Sequence, residues 1–551
     1  MVFTSPCAPT PSPTKPVHEW MFDYLKKNQE ERPDQPMFID YYTKEETYPQ
    51  DIIDRTKILA KFLVSRNFNK GDSIMAAVEN GWEYICMNLA TAAIGGAISG
   101  ANVAYTEHEL THQARLSSCK IVLCQDYVVQ KILNILDDCP DIHTIVQIGK
   151  NVPKTNKNVT LISIHAIIAD ETYINDNDLP QVNINLTEDV FSLPTSSGTT
   201  GLPKGVKLTH YANVFAVENF GRFLTEEVGK KIEKDWDWRN ETCLLALPMG
   251  FGYGQCVASC CMMNGTRGIM IKGANTKDVA DAIDKYNVSI YFMAPMMLIG
   301  LLHHKKQNPD SLKSLKIVVS AGGPIKEQVA TAIEKYFYYV PFVGQLYGTT
   351  ETMCIASHDA RDKNPLASVG RLMPNVELRI IDSNTNTELG INEPGDIQVK
   401  VSSSAPGYIN NPEANKELYT SDGFLDIGDV GYIDEKGFLY LVDRKKEMLK
   451  VGGRQASPSE LEDILMTHPL VQDCAIVGMP DPLTDQRITG FVVRRDHSLT
   501  EEECLKLVNS KVSEFKQITG GIHFMDAIPR NANGKILRRK IKENFVEIAT
   551  K

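Results

Sequence analysis

The chain has 551 residues, of which 42% are hydrophobic, 8% aromatic and 23% charged; at about 150 residues per domain this fits three or four domains with a large core, and it excludes global disorder. Fifty-eight basic against 69 acidic side chains give a net charge of −11, which argues against nucleic acid or an anionic membrane face as the main partner. Twelve scattered cysteines without a paired CxxC module point to reduced thiols in a cytosol-like compartment and away from a disulfide scaffold or zinc ribbon.

Residues 1–18, beginning MVFTSPCAPTPSPTKP, lack the charged, apolar, small-residue order of a signal peptide and read as a flexible Pro-rich tail. From about residue 50 to 380, short apolar runs at 73–78, 120–123, 244–247, 289–293 and 316–320 look like strands covered on both faces. Amphipathic stretches lie between them; in 276–286, Val279, Ile283 and Tyr286 recur at helical spacing. That alternation predicts layered α/β subdomains with largely parallel sheet. Segments 85–105 and 242–266 carry no charge, but glycines, asparagines and Pro248 interrupt them, so neither supplies the roughly 20 predominantly apolar residues of a spanning helix. The turn-rich strands of 376–444 predict a small β-rich subdomain closing a large domain over 19–444. An α+β unit over 445–551 follows, with 17 basic against 15 acidic residues where the rest of the chain has 41 against 54. A mildly basic unit beside an acidic body suits a lid over anionic ligands.

Five segments carry the chemistry. In Ser196-Ser197-Gly198-Thr199-Thr200-Gly201-Leu202-Pro203-Lys204-Gly205, glycines let several N–H groups turn to one side, and hydroxyls and a lysine complete a surface suited to oligophosphate. It is not a Walker A loop, since glycine follows the lysine. Tyr347-Gly348-Thr349-Thr350-Glu351 sets a carboxylate beside hydroxyls, a donor set for Mg²⁺. Asp429 and Arg444 suit a ribose diol, as acceptor and donor. Lys450 and Lys535 each sit by a glycine turn in the C-terminal unit, able to bring a positive charge to a polyanion. Singly, most of these would be solvated surface or ordinary turns.

In this order and wording the segments resemble the adenylate-forming superfamily of acyl-CoA synthetases, 4-coumarate–CoA ligases, beetle luciferases and peptide-synthetase adenylation domains. The resemblance covers about residues 20–545. It implies a large N-terminal ATP- and acyl-binding domain and a mobile C-terminal lid that hinges near Lys446. It also implies attack of a carboxylate on the α-phosphorus of ATP, followed by transfer of the acyl group from acyl-AMP to CoA. In its terms Ser196, Ser197, Gly198, Thr199, Thr200, Gly201 and Lys204 grip the phosphates. Thr350 contacts phosphate and Glu351 holds Mg²⁺. Ala321, Gly322, Gly323 and Tyr347 enclose adenine, while Asp429 and Arg444 hold the ribose. Lys535 serves adenylation and Lys450 the second half-reaction. Met249, Phe251, Met296 and Gly348 border the acyl pocket.

The chain departs from the pattern at Met249, where luciferases and coumarate ligases carry a histidine; a thioether neither donates a hydrogen bond nor carries charge. An apolar pocket without a carboxylate to meet an amino group suits a medium- or long-chain fatty acid or an aryl acid. The expectation is therefore an AMP-forming acid–CoA ligase using ATP, Mg²⁺ and CoA. A luciferase-like oxygenase and an inactive nucleotide-binding homologue are the alternatives. The cytoplasm is the expected location, with the peroxisome second because the chain ends Ala549-Thr550-Lys551 and not Ser-Lys-Leu.

Overall fold

The computed structural model describes residues 1–551 apart from 175–177, 197–202, 274, 324, 326, 362, 384, 446, 452–453, 482–484, 513, 531–535 and 550–551. Of the expected site residues, Ser197, Gly198, Thr199, Thr200, Gly201, Lys446 and Lys535 lie outside the described residues, and Lys450 is described by its backbone alone.

The chain divides into two compact units, one of Val2–Leu378 with Val399–Ile427, the other of Met1, Arg379–Gln398 and Gly428–Lys551. The larger unit holds two α/β layers. Its seven-stranded sheet runs Leu208–Thr209, Val190–Ser192, Ala97–Ala101, Ser73–Ala77, Cys119–Gln125, Thr144–Ile148, Thr160–Ser163, and every neighbouring pair but the first is parallel. The nine-stranded sheet runs Arg371–Leu372, Met353–Ser357, Phe342–Thr349, Ile317–Ala321, Ile290–Met293, Thr242–Leu245, Arg267–Met270, Phe38–Asp40, Glu46–Thr47. It is parallel through its centre and antiparallel towards both edges. All five apolar runs picked out in the sequence are strands of these sheets. They are buried on both faces because helices cover them: Met75, Val122 and Ile145 pack with Ile132 and Leu133, and Leu244, Tyr291 and Val318 with Ile283 and Leu298. Helix Thr276–Tyr286 is as expected from its periodicity. The Asn275 side chain accepts the Lys277 N–H at its start, and Asn287 ends it in the left-handed region.

The smaller unit is α+β. Strands Val471–Asp481 and Asp485–Arg494 pair antiparallel, Ile522–Phe524 joins the second of them in parallel, and helices Pro458–Met466 and Glu501–Asn509 bring Leu461, Leu465 and Cys504 onto a core with Ile476 and Val492. The β-rich stretch expected over 376–444 is present as Val376–Ile381, Gly395–Val401, Leu425–Ile433 and Leu439–Arg444, and the division between the units falls within it. No helix among the described residues is long and apolar enough to cross a membrane.

The N-terminal segment differs from the flexible tail the sequence suggests. Ser5 Oγ donates to the Leu372 carbonyl (2.8 Å), Thr10 N–H to Asn375 Oδ1 (2.6 Å) and Thr10 Oγ1 to Asn219 Oδ1 (2.8 Å). Proline-rich backbone makes few hydrogen bonds with itself, and here Ser5 and Thr10 tie the segment to residues more than 200 positions away in sequence, which composition cannot reveal.

Three buried histidines should make the larger unit acid-sensitive. Burial lowers His18 and His358 to about 4 and His210 to about 3. The geometry agrees: His358 Nδ1 accepts the Gln345 N–H (3.2 Å) and His210 Nδ1 the Val17 N–H (3.2 Å), so a proton on either nitrogen would face a donor. These imidazoles are neutral when folded and titrate near 6.5 when unfolded. Their stabilisation is complete above about pH 6.5 and is lost as pH falls toward the folded values. About 2 kcal/mol per histidine should disappear between pH 7 and pH 5. Urea unfolding at the two pH values measures this, and His358→Gln should flatten the slope by one proton.

Candidate active site

The hydroxyl- and glycine-rich segment is flanked by two paired strands. Thr195 pairs with Gly205 and Ser196 with Lys204, antiparallel, which sets the Ser196 hydroxyl and the Lys204 stem at its base. Both limbs rest on helix Glu107–Ser117, whose start is fixed by reciprocal bonds between Thr106 and Glu109. Gln113 Nε2 donates to Ser99 Oγ (2.6 Å), which donates to the Leu193 carbonyl on the incoming limb (2.9 Å). His112 Nε2 donates to the Pro203 carbonyl on the outgoing limb (3.0 Å).

Strand Phe342–Thr349 carries Tyr347 and turns back into Met353–Ser357, with a register shift between Tyr347 and Gly348. A Cβ at Gly348 would overlap the Met353 carbonyl oxygen, so only glycine admits this approach. Thr350 and Glu351 occupy the turn. Thr349 N–H donates to Thr352 Oγ1 (3.3 Å), Ser403 Oγ to the Thr352 carbonyl (2.7 Å) and Ala405 N–H to the Glu351 carbonyl (2.7 Å).

The hairpin and this turn meet at a residue that sequence reasoning did not select. Tyr408 donates its hydroxyl to Glu351 Oε1 at 2.9 Å, and Lys204 Nζ lies 4.9 Å from the centre of the same ring. Burial and the Glu351 charge push the phenol up. Thus the lysine of one motif and the carboxylate of another, 147 positions apart in sequence, share one aromatic side chain. Among the described residues no group of three or more His, Cys, Asp or Glu could hold a metal ion. One half-buried carboxylate fits Mg²⁺ that arrives with phosphate oxygens and water, which is how this hard cation is usually held.

Strand Ile317–Ala321 lies parallel to Phe342–Thr349, with Ala321 opposite Leu346. Ala321, Gly322 and Gly323 therefore stand beside Tyr347 at the carboxyl ends of adjacent parallel strands, where open α/β sheets bind ligands. Gly322 has φ +88° with open space on its Cβ side. Gln345 fixes the following loop: its Oε1 accepts the Ile325 N–H (2.9 Å) while its Nε2 donates to the Leu366 and Ser368 carbonyls.

Met249 is 2% exposed and held through its backbone. Its N–H donates to Asn80 Oδ1 (2.9 Å), and Asn80 Nδ2 donates to the Leu245 and Leu247 carbonyls (3.0 Å each). Phe251 is half-buried at the start of helix Gly252–Asn264. Met296, by contrast, is 64% exposed on the first turn of helix Pro295–Gln307.

In the smaller unit Asp429 and Arg444 face each other by strand register, with Arg444 Nε 2.7 Å from Asp429 Oδ1. Asp429 is buried and Arg444 half-exposed, and a charge-assisted contact joins the two side chains. The neighbouring Asp443 is structural: its Oδ2 accepts Ser457 Oγ (2.6 Å) and the Ser459 N–H (3.2 Å) at the start of helix Pro458–Met466. Lys450 lies in strand Leu449–Val451, opposite Gln455 in a hairpin.

Tyr408, Asn80, His112 and Gln113 were not legible as site residues. The sequence shows only a Gly-Tyr pair, an asparagine before a helix and two polar positions on an amphipathic helix, while their partners lie 14 to 169 positions away.

Comparison with known proteins identifies the family. The chain matches the AMP-binding enzyme family over residues 25–409 and the AMP-binding enzyme C-terminal domain over 460–535. It is 32% identical over 540 residues to the probable 4-coumarate–CoA ligase 3 of Dictyostelium discoideum, covering 96% of this chain and 95% of that one. It is 30% identical to 4-coumarate–CoA ligase 4 of Arabidopsis thaliana, covering 87% and 83%. In fold it is similar to ATP-bound MatB from Rhodopseudomonas palustris (TM-score 0.80, 22% identity, 96% and 99% covered) and to the anthranilate CoA ligase AuaEII in complex with anthranoyl-AMP (TM-score 0.83, 21% identity, 96% and 98% covered). By the match across most of its length and the identity to full-length relatives, the chain belongs to the AMP-binding enzymes of the adenylate-forming superfamily.

Proposed function

We propose that this protein is an AMP-forming acid–thiol ligase that activates a hydrophobic carboxylic acid, aryl or medium- to long-chain aliphatic, and transfers it to CoA. The observation that carries this reading is the junction of Lys204, Tyr408 and Glu351, which gathers a cation and a carboxylate at the base of a hydroxyl-rich loop. Family membership, and relatives named as 4-coumarate–CoA ligases, support it.

The chemistry explains the residue types. A free carboxylate is a poor electrophile because its leaving group would be oxide, and adenylation replaces oxide with AMP. In the proposed roles, Ser196, Lys204 and the loop 197–202 bind the β- and γ-phosphates, with Thr350 beside them. Tyr347 packs on adenine against Ala321, Gly322 and Gly323, and Asp429 with Arg444 takes the ribose. Glu351 would hold Mg²⁺, whose charge would offset that of the phosphates. Lys535 meets the carboxylate and α-phosphate, Lys450 serves thioester formation, and the C-terminal unit hinges near Lys446 as a lid. Met249, Phe251, Met296 and Gly348 border the acyl group. Met249 offers no donor, so orientation of the acid falls to apolar contact and to Lys535. A reducing compartment such as the cytoplasm suits a chain whose twelve cysteines are all free.

The test is pyrophosphate release with MgATP across short, long-chain and aryl acids, with and without CoA. Release confined to hydrophobic acids, with acyl-CoA and AMP appearing when CoA is added, is the expected result. Silence across the panel in protein that still binds ATP would instead make it an inactive homologue.

A further inference from the structure

We propose that Tyr408 is a positioning residue: its hydroxyl aims the Glu351 carboxylate at the Mg²⁺ that accompanies ATP, and its ring keeps Lys204 off that carboxylate until phosphate arrives. The inference rests on the proposed function and assigns a role to a side chain outside the motifs that led to it.

The backbone around Tyr408 is fixed from two directions. Lys207 N–H donates to the Gly407 carbonyl and Ile409 N–H to the Gly205 carbonyl (2.9 Å each), which ties the segment to the outgoing limb of the phosphate hairpin. Tyr408 N–H donates to Asn415 Oδ1 (2.6 Å), and Asn415 Nδ2 donates back to the Tyr408 carbonyl (2.9 Å). Held at both its N–H and its carbonyl, the residue has little freedom except about its own side-chain torsions. The hydroxyl bond to Glu351 Oε1 and the Lys204 ammonium over the ring restrict those as well.

Two consequences follow from the chemistry. A carboxylate has about four lone-pair sites, so one bond to Tyr408 orients the group and leaves the other oxygen for a cation. Outer-shell partners of this kind are typically worth about 10–100-fold in metal affinity. An ammonium free to reach Glu351 would form an ion pair and neutralise both charges before the substrate binds. A ring face holds a cation weakly at a partly exposed site. Incoming phosphate can therefore take Lys204 at little cost.

Tyr408→Phe keeps the ring and removes the hydroxyl. The Mg²⁺ concentration for half-maximal pyrophosphate release should rise about 10-fold, and ATP binding measured at equilibrium with Mg²⁺ should need correspondingly more metal. ATP binding in EDTA, thioester formation from supplied acyl-adenylate and the melting temperature should stay close to wild type. Adding Tyr408→Phe to Glu351→Gln should leave the Mg²⁺ requirement where the single Glu351 variant sets it, because the two act through one contact. An unchanged Mg²⁺ midpoint, or equal loss in both half-reactions, would reduce Tyr408 to packing. If the wild type binds ATP in a Mg²⁺-dependent way yet releases no pyrophosphate, the ligase reading fails while the binding measurement still decides the role of Tyr408. ATP binding indifferent to Mg²⁺ in the wild type overturns the positioning role.

Discussion

Gly348→Ala should cost about 3 kcal/mol of stability through overpacking and should lower pyrophosphate release about 100-fold or more. The added methyl overlaps the Met353 carbonyl oxygen, a backbone atom within the turn, so rotation of a side chain cannot relieve the clash. The strands Phe342–Thr349 and Met353–Ser357 must separate, and Thr350 and Glu351 lie in the turn that joins them. A displacement of roughly 1 Å at a reacting group is enough to cost about two orders of magnitude in rate. The bond from Ala405 N–H to the Glu351 carbonyl and that from Tyr408 to its carboxylate would be strained by the same movement. Gly437→Ala is the control: it has φ +80° but no atom near its Cβ position, so it pays about 1–2 kcal/mol for left-handed backbone and should keep full activity. Wild-type turnover in Gly348→Ala would show that the close approach does not fix the turn.

How much of this was legible in the sequence depends on whether a signal is local. Helix Thr276–Tyr286 and the five apolar strands were legible because period and burial act within a dozen residues. The Gly/Ser/Thr/Lys segment 196–205 could be picked out for the same reason, since its residue types are consecutive in the sequence; of it, 197–202 lie outside the described residues. Asp429 and Arg444 were readable as separate motif positions, but what joins them is strand register, a pairing across fifteen positions that composition does not encode. Tyr408 and Asn80 were illegible. A tyrosine after glycine and an asparagine before a helix are commonplace, and only the packed fold brings them to Glu351 and to the Met249 backbone. The N-terminal segment was misread because a Pro-rich composition signals the lack of internal hydrogen bonds and says nothing of partners elsewhere in the fold.

The proposed roles of Lys535 and Lys450 lead to opposite outcomes in the two half-reactions, and these are the largest effects expected of any side chain. Lys535→Ala should reduce pyrophosphate release about 100- to 1,000-fold, the scale of removing one preorganised donor from developing charge, and should leave CoA transfer from supplied acyl-adenylate intact. Lys450→Ala should do the reverse, sparing the pyrophosphate burst and slowing thioester formation. The asymmetry follows from the charge each step must stabilise. Adenylation builds negative charge on the α-phosphate while two anions approach each other, so an unshielded cation there lowers the barrier directly. Thioester formation starts from a neutral acyl carbonyl with AMP already a competent leaving group, and a cation acts then only if it comes from a different lid position. Both lysines fall in the segment proposed as the lid, so one lid bearing two cations can serve two steps if it changes pose between them. Crosslinking the unit in a single pose should therefore reproduce one of the two single-lysine phenotypes. Loss of both half-reactions in Lys535→Ala, with unfolding by urea unchanged, would overturn the division of labour and assign that lysine to ATP binding in general.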